Sequence, residues 1–251
     1  MIPTMNSPVF SEQQLVSYLL QFLTPERRNR FVEVLRWRTN LIQVGLVDLF
    51  QKHNASAVLR SCDALGIQQV HVVESYNEFE TNHEIALGSE QWLTLNQYTG
   101  PSAIEDSLTT LRSKGIRVVA TALHADSLPI DEVPLDQPIA LFFGNEKEGL
   151  PQSFIDAADV ITHIPMYGFV ESYNVSVAAA LSLQTLLRRL RSSSLPWQLD
   201  EEEYFALLLE WTRKSIRKID LVEKQFHLHL ANGTLPETDL PDLALLRHSS
   251  E

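Results

Sequence analysis

Short apolar runs and segments of helical periodicity alternate through the middle of the chain, and this alternation constrains the fold more than any other feature. Five runs have the length and composition of buried strands: 41–47, 70–73, 117–122, 139–143 and 160–164. Helical patterns lie between them at 55–65, 103–114 and 153–157. Parallel strands must be joined by crossovers, which are usually helices. The sequence therefore predicts an α/β fold with a mainly parallel sheet that has helices on both faces.

Helical patterns also flank this α/β body. The leucines between Leu15 and Leu23 have helical spacing, and Thr24-Pro25-Glu26 is typical of the start of a second helix, which we expect to run to about Arg38. A long helix is predicted over 175–191, followed by an amphipathic, charged segment over about 200–228. We predict four parts: an N-terminal helical extension, an α/β domain, a C-terminal helical extension and a mobile tail, covering residues 1–40, 41–192, 193–230 and 231–251.

Composition excludes several classes of protein. No apolar stretch among the 251 residues is long enough to cross a membrane, and residues 1–10 lack the pattern of a signal peptide. The single cysteine, Cys62, cannot form an internal disulfide, and no His, Cys and acid cluster has metal-ligand spacing. We therefore expect a cytoplasmic protein with no metal and no membrane partner.

The net charge of −12 argues against a nucleic-acid partner at first sight, but the basic residues are clustered. Of the 20 lysines and arginines, 13 fall within 27–38, 188–191 and 213–224. The first cluster, which contains Arg27, Arg28, Arg30, Arg36 and Arg38, is the better candidate for binding phosphates. The other two are equally well interpreted as solvated helix faces.

Common nucleotide-binding loops are missing. None of the nine glycines forms a Gly-x-Gly, which a dinucleotide-binding Rossmann unit and the commoner methyltransferase fold would require. Gly144 and Gly149 have the separation of a phosphate-binding loop, but Leu150 and Pro151 follow in place of Lys and Ser or Thr. A site for a nucleoside triphosphate is thus not indicated.

Three short segments carry the polar residues most suited to a site. The first, 53–60, joins a strand to a helix, where Asn54 could cap the helix and Gly66 could end it. These structural roles leave Arg60 unexplained, although an arginine at the edge of an apolar stripe can simply reach solvent.

The second segment, 143–150, follows a strand, at the end where α/β sheets usually bind ligands. Gly144 would allow close approach of the backbone and Glu146 would lie in the loop, although a turn glycine and a helix-initiating acid are the plain alternative. The third segment, 164–178, places Ser172, Asn174 and Ser176 just before a helix that begins with small residues.

Together the three segments resemble the signature motifs of the SpoU (TrmH-type) branch of the SPOUT RNA 2′-O-ribose methyltransferases. The resemblance extends to 24–30, Asp48, 61–66, Trp92 and 120–123, and so covers roughly residues 24 to 228. It implies a SPOUT fold, in which the third segment threads through an earlier loop to form a C-terminal trefoil knot. Spacing alone does not reveal such a knot.

The resemblance also implies a cofactor, S-adenosylmethionine, and roles for named residues. Arg60 would act on the ribose hydroxyl, Asn54 would orient the loop, Glu146 would fix the loop and the nucleoside, and Ser172 and Asn174 would position Arg60 and the ribose. The cofactor-binding residues would be Thr121, Ala122, Gly144, Ile164, Met166 and Tyr173.

The implied substrate is RNA, and the flanking helices favour the tRNA enzymes that methylate the D-loop guanosine, with Arg27, Arg28 and Arg30 binding tRNA. Another tRNA or rRNA site remains an alternative, as does a catalytically silent RNA-binding or assembly protein. Without the three segments, a flavodoxin-like binding domain would fit the pattern equally well. The resemblance and the surplus of apolar surface also predict a homodimer, and no DNA partner is expected.

Overall fold

A computed structural model describes residues 12–76, 79, 81 and 86–236 of the chain. The chain divides into two units. One is formed by Arg38–Gln198, and the other by Met1–Trp37 together with Leu199–Glu251.

The first unit is built on a parallel sheet, which confirms the predicted α/β class. Its seven strands are β1 (Ile42–Val47), β2 (Gln69–Glu74), β3 (Thr94–Thr99), β4 (Arg117–Thr121), β5 (Leu128–Pro129), β6 (Ile139–Phe143) and β7 (Val160–His163). They lie in the order β3-β2-β1-β6-β4-β7-β5, and every pairing is parallel. The trefoil knot implied by the resemblance stays a prediction.

Two strands, β3 and β5, have no counterpart among the five predicted runs. They form the two ends of the sheet, and every residue of β3 is at least partly exposed. An edge strand is not buried on both faces, so the continuous apolar signal of a central parallel strand is absent there. The five predicted runs all correspond to inner strands.

Among the described residues, the helices that cover this sheet are α3 (Lys52–Leu65), α4 (Ala103–Ser113), α5 (Gln152–Ala157) and α6 (Val175–Arg191). The helix predicted from Ala55 starts earlier, at Lys52, and Gln51 occupies the N-cap position. The interpretation of Asn54 as the cap was therefore wrong, because its side chain is used in hydrogen bonds to other segments. Gly66 ends α3 as predicted, in the left-handed conformation with φ of 86°.

Each face of the sheet has its own hydrophobic core. On one face, α3 and α6 pack through residues such as Val58 and Leu186 against the central strands. On the other, Leu111 of α4 and Phe154 of α5 pack beside Phe142. Gly45 in β1 makes room for that ring, since a Cβ there would lie 2.1 Å from it.

The second unit contains helices α1 (Glu12–Leu20), α2 (Pro25–Leu35), α7 (Glu201–Ser215) and α8 (Ile219–Asn232). Thr24 caps α2 as predicted, but this helix ends at Leu35 rather than near Arg38. The amphipathic segment over 200–228 is two helices, separated where Lys218 adopts a left-handed φ of 64°. Trp211 of α7 makes an edge-to-face contact with Phe31 of α2, with ring centroids 5.5 Å apart.

Most of the tail predicted to be mobile, 237–251, lies outside the described residues, as do residues 1–11 of the predicted N-terminal extension. In the part of the chain that is described, no helix has both the length and the apolar character needed to cross a membrane. Nor do three or more His, Cys, Asp or Glu side chains of those residues come together as metal ligands would.

Candidate active site

A cavity of about 780 Å³ opens at the carboxyl ends of the inner strands. Its walls come from the residues that follow β4, β6 and β7, from the start of α3 and from one face of α6. This is the edge at which open parallel sheets bind small ligands, and the volume is typical of a site for a cofactor or drug-sized molecule.

The cavity brings together most of the residues that the sequence singled out. Ten of them line it: Asn54, Thr121, Ala122, Gly144, Glu146, Ile164, Met166, Ser172, Tyr173 and Asn174. They come from four separate stretches of the chain, which meet because the carboxyl ends of parallel strands lie at one edge of the sheet.

Glu146 binds the N-terminal end of α3. Its carboxylate accepts hydrogen bonds from the backbone N–H groups of Phe50 (3.1 Å) and Gln51 (3.2 Å) and from Nδ2 of Asn54 (2.8 Å). Partial burial raises the pKa of Glu146, but these hydrogen bonds together outweigh burial and leave the pKa below its ordinary value. A carboxyl group with a lowered pKa is ionised at neutral pH and is therefore suited to anchoring rather than to taking up a proton.

Asn54 connects Glu146 to the third segment. While its Nδ2 donates to Glu146 and to Oε1 of Gln51 (3.0 Å), its Oδ1 accepts a hydrogen bond of 3.1 Å from Nδ2 of Asn174. Asn174 in turn caps α6, because its Oδ1 accepts from the backbone N–H (2.9 Å) and the hydroxyl (2.6 Å) of Ser176. Side chains from all three predicted segments thus form one hydrogen-bonded chain beside the cavity.

The turn after β6 is held by its backbone. Asn145 and Gly149 exchange two backbone hydrogen bonds, of 3.0 and 2.8 Å, and Gly144 packs so closely on this turn that a Cβ would lie 2.1 Å from the carbonyl carbon of Gly149. Glycine at position 144 is therefore required by the protein's own backbone, as in the turn-glycine alternative, and its contact with a ligand stays a prediction.

Two residues that were not predicted as site residues fix this turn against the sheet. Nδ2 of Asn145 donates to the backbone carbonyl of Asp48, 2.9 Å away. Asp48 is buried with a left-handed φ of 48°, and its Oδ1 accepts from the backbone N–H groups of Ser75 (2.7 Å) and Tyr76 (3.1 Å). The sequence alone does not show that the backbone of Asp48 is strained, so this residue could not be predicted from its position after a strand.

Further lining residues were missed because their positions depend on the tertiary structure. His163 ends β7, and its Nδ1 lies 2.9 Å from the hydroxyl of Ser127. That hydroxyl also donates to the carbonyl of His124 at 2.7 Å. Gln51, Glu171 and Ser182 also line the cavity.

Arg60 is not one of the described residues that line the cavity. It lies six positions after Asn54 on α3, which places its Cα about 9 Å further along the helix axis and about 120° around it. Its side chain is exposed to solvent.

The loop before α6 is also exposed and strongly apolar, since Tyr167 and Phe169 are almost fully accessible.

The first basic cluster divides between the two units. On α2, Arg27 and Arg30 are exposed and Arg28 is half-buried; Arg30 pairs with Glu33 at 2.8 Å. Arg38 belongs to the α/β unit instead, where it is fully buried, forms an ion pair with Asp63 and donates to the carbonyl of Ile67 at 2.8 Å. Its assignment to the phosphate-binding cluster was therefore wrong, because a buried guanidinium that satisfies internal acceptors is not available to RNA.

The fold and the cavity define an α/β protein that binds a small ligand at the carboxyl edge of a parallel sheet. Residues 41–184 match the model of the SpoU rRNA Methylase family, and the chain belongs to that family.

Individual relatives agree with the family. The chain is 39% identical over 208 residues to the tRNA (guanosine(18)-2′-O)-methyltransferase of Borreliella burgdorferi, a match that covers 83% of this chain and 94% of the relative. The crystal structure of the A. aeolicus TrmH/SpoU tRNA modifying enzyme superposes with a TM-score of 0.68 at 31% identity, covering 77% of this chain and 98% of that one. The SpoU methyltransferase AviRb from Streptomyces viridochromogenes, in complex with the cofactor AdoMet, superposes with a TM-score of 0.55 at 26% identity, covering 62% and 63% of the two chains.

Proposed function

We propose that this chain transfers a methyl group from S-adenosylmethionine to the ribose 2′-hydroxyl of a guanosine in tRNA, and that the target is guanosine 18 in the D-loop. The observation that carries the proposal is the Glu146–Asn54–Asn174 hydrogen-bonded chain beside the cavity, built from the three segments that resemble the family motifs. The names of the relatives support tRNA as the substrate.

The cavity fits the proposed cofactor. Apolar residues, among them Ile130, Phe143 and Ala178, provide a wall suited to a nucleobase, while Glu146, Lys147 and Glu171 offer charged groups for the amino-acid end of the molecule. A ligand with one flat apolar end and one zwitterionic end needs this combination. The backbone at Ala122, Gly144, Ile164, Met166 and Tyr173, together with Thr121, would hold the adenosine part.

When bound, S-adenosylmethionine supplies an electrophilic methyl carbon on a sulfonium. The protein must then hold the ribose in line with that carbon and accommodate the proton of a hydroxyl that is a weak nucleophile at neutral pH. Glu146, Asn54 and Asn174 fix the start of α3 against the start of α6, and with Ser172 they define where the ribose is held.

Arg60 takes part in the proton step. An exposed guanidinium outside the cavity wall is suited to contact with the RNA rather than with the cofactor. A guanidinium is a very poor base while it is protonated, so it acts as a base only where a substrate phosphate and a desolvated site help to remove its proton. The alternative role is that Arg60 keeps its proton and stabilises the developing alkoxide as a cation.

The RNA is bound in part by α2. Arg27, Arg28 and Arg30 contact phosphates, and the exposed ion pair of Arg30 with Glu33 does not prevent this because such pairs are worth under about 1 kcal/mol. We expect the enzyme to act in the cytoplasm, where its substrate is.

The functional form is a homodimer. Several exposed side chains in this part of the chain are apolar: Tyr167, Phe169 and Val170 in the loop before α6, and Val177 and Leu181 on α6. Exposed apolar side chains so close together in the chain are typical of a surface that another chain covers. A second copy on this surface would exclude water from the neighbouring cavity.

One experiment tests the activity directly. The purified protein is incubated with methyl-labelled S-adenosylmethionine and, separately, with unmodified tRNA and rRNA, followed by nucleoside analysis. We expect 2′-O-methylguanosine in tRNA, and no transfer to a tRNA that carries 2′-deoxyguanosine at position 18. Product in rRNA alone would assign a different substrate, and no product with either RNA would favour a catalytically silent RNA-binding protein.

A further inference from the structure

Ser182 is a fully buried residue in the wall of the cavity. It lies on α6, four positions after Ala178 and seven after Val175, and all three residues line the cavity because this spacing puts them on one face of the helix. None of the three signature segments includes it.

The hydroxyl of Ser182 differs from those of five other residues in or at the ends of the described helices. Those of Ser61, Thr185, Ser192, Thr212 and Ser215 each donate to the carbonyl four residues earlier, at 2.7 to 2.9 Å. The Ser182 hydroxyl makes no such bond to Ala178, and no described residue provides it with another hydrogen-bond partner. Leaving a buried hydroxyl unsatisfied costs about 1–3 kcal/mol, so its retention needs an explanation.

The surroundings indicate which part of a ligand would satisfy this hydroxyl. Ile130, Phe143 and Val175 are apolar residues of the cavity wall that are buried or half-buried, whereas Lys147, Glu148 and Glu171 are exposed. A molecule with a flat base and a charged amino-acid end would therefore bind with the base against the α6 wall and the charged end toward solvent.

We propose that Ser182 recognises the adenine ring of the cofactor by a hydrogen bond between its hydroxyl and a polar atom on the edge of the ring. This inference rests on the proposed function, since it names a contact within the same site. It makes Ser182 a residue that determines affinity for the cofactor, without a part in the methyl-transfer step itself.

The test compares Ser182→Ala with Thr185→Val by titration calorimetry with S-adenosylhomocysteine, which lacks the reactive methyl group. Thr185 is a matched control because its hydroxyl lies on the same helix, donates to the carbonyl of Leu181 and is not in the cavity wall. We expect Ser182→Ala to weaken binding about five- to thirtyfold, the effect of removing one hydrogen bond to a buried ligand. Thr185→Val should bind with unchanged affinity.

A purely structural role of Ser182 predicts that Ser182→Ala is less stable than the wild type, whereas the proposed role predicts the following results. If the hydroxyl is unsatisfied in the free protein, Ser182→Ala should unfold at the same or a higher temperature than the wild type, while its affinity falls. The methyl-transfer rate at saturating cofactor should stay within about twofold of the wild type, so that the change is confined to KM. Ser182→Cys, which keeps the side-chain size but is a weak donor, should behave like the alanine variant.

Cofactor analogues identify the atom. Four variants of S-adenosylhomocysteine remove one polar group each: 1-deaza, 3-deaza, 7-deaza and a form without the 6-amino group. The analogue that lacks the atom bound by Ser182 should bind the wild type more weakly than the parent compound does. The same analogue and the parent compound should bind Ser182→Ala with equal affinity. Equal affinity of Ser182→Ala and wild type for the parent compound, or the same loss for every analogue in both proteins, would overturn the inference alone. If the wild type failed to bind S-adenosylhomocysteine, the proposed function would fail with it.

Discussion

Asn54 and Asn174 are separated by 120 positions in the chain, yet Nδ2 of Asn174 donates a hydrogen bond of 3.1 Å to Oδ1 of Asn54. Both the oxygen and the nitrogen of each amide form hydrogen bonds, since Asn54 also donates to Glu146 and Asn174 also accepts from Ser176. The contact therefore fixes the start of α3 against the start of α6, on two sides of the same cavity.

Asn174→Asp separates this contact from helix capping. An aspartate keeps the acceptor that caps α6 but faces Oδ1 of Asn54 with an oxygen instead of a donor. The amide of Asn54 cannot rotate to offer its nitrogen, because it would lose its hydrogen bond to Glu146. We expect methyl transfer to fall about tenfold or more, since one lost positioning hydrogen bond of 1–3 kcal/mol has that effect. Stability should fall by no more than about 1–3 kcal/mol, the cost of the lost hydrogen bond, because aspartate is as good an N-cap as asparagine.

Single-turnover kinetics and urea unfolding measure the two quantities for Asn174→Asp, with Asn174→Ala as the comparison that loses both the contact and the cap. An aspartate variant with wild-type rate would show that the Asn54–Asn174 hydrogen bond does not position the reacting groups.

Arg60→Ala tests the residue that lies outside the cavity wall. Its exposed side chain predicts a stability change below about 1 kcal/mol and unchanged cofactor affinity. The methyl-transfer rate should nevertheless fall at least about a hundredfold, the usual scale for losing a proton-transfer or oxyanion-stabilising group. A single-turnover assay at saturating tRNA and cofactor isolates this step.

Arg60→Lys, measured in parallel, distinguishes the two roles of the guanidinium, because a lysine keeps the positive charge but not the geometry. Recovery of the rate with lysine that is lost at high pH, where the ammonium gives up its charge, would favour stabilisation of the alkoxide. If the alanine variant kept more than a tenth of the wild-type rate, Arg60 would have no catalytic role.

Replacing Arg27, Arg28 and Arg30 by Ala should weaken tRNA binding and leave cofactor affinity unchanged. Because each phosphate contact releases counterions, the slope of log K against log salt should become shallower by up to about three phosphate equivalents. Binding measured over a range of salt concentrations gives the slope. As a control, Lys114→Ala removes one exposed charge from the α/β unit and should leave the salt slope unaltered. A slope in the triple variant as steep as that of the wild type would mean that these arginines are solvated.

His71 should make the protein sensitive to mild acid. It is buried between Gln43 and Tyr98, and burial, with a smaller effect from the charge of Lys114, lowers the pKa of His71 from 6.5 to about 4. The unfolded chain then binds a proton below about pH 6.5, which the folded protein binds only below about pH 4. The free energy of unfolding should therefore decrease as the pH falls from 6.5 to 4, by up to roughly 3 kcal/mol for a shift of this size.

Urea unfolding at several pH values between 4.5 and 7.5 measures this decrease. His71→Gln should be less stable at pH 7 but should have a flatter profile over the same range. A variant whose profile is as steep as that of the wild type would assign the acid sensitivity to other groups.

Local sequence patterns determined the inner strands and most helix boundaries of this protein. Apolar runs marked the strands that are buried on both faces, while Thr24 and Gly66 marked the start of α2 and the end of α3. These features are set by burial and backbone geometry within a few residues, so they can be read locally. The polar edge strand β3 has no such local signature.

The tertiary structure decided what each polar side chain does. Asn54 has the pattern of a helix cap but bridges Glu146 and Asn174, and Arg38 belongs to a basic run but is buried against Asp63. Gly144 is required by the neighbouring turn, and Ser182 reaches the cavity wall only because α6 packs beside the sheet edge. The physical reason is that hydrogen bonds and burial depend on which segments meet in space, and partners about a hundred residues apart leave no local trace in the sequence.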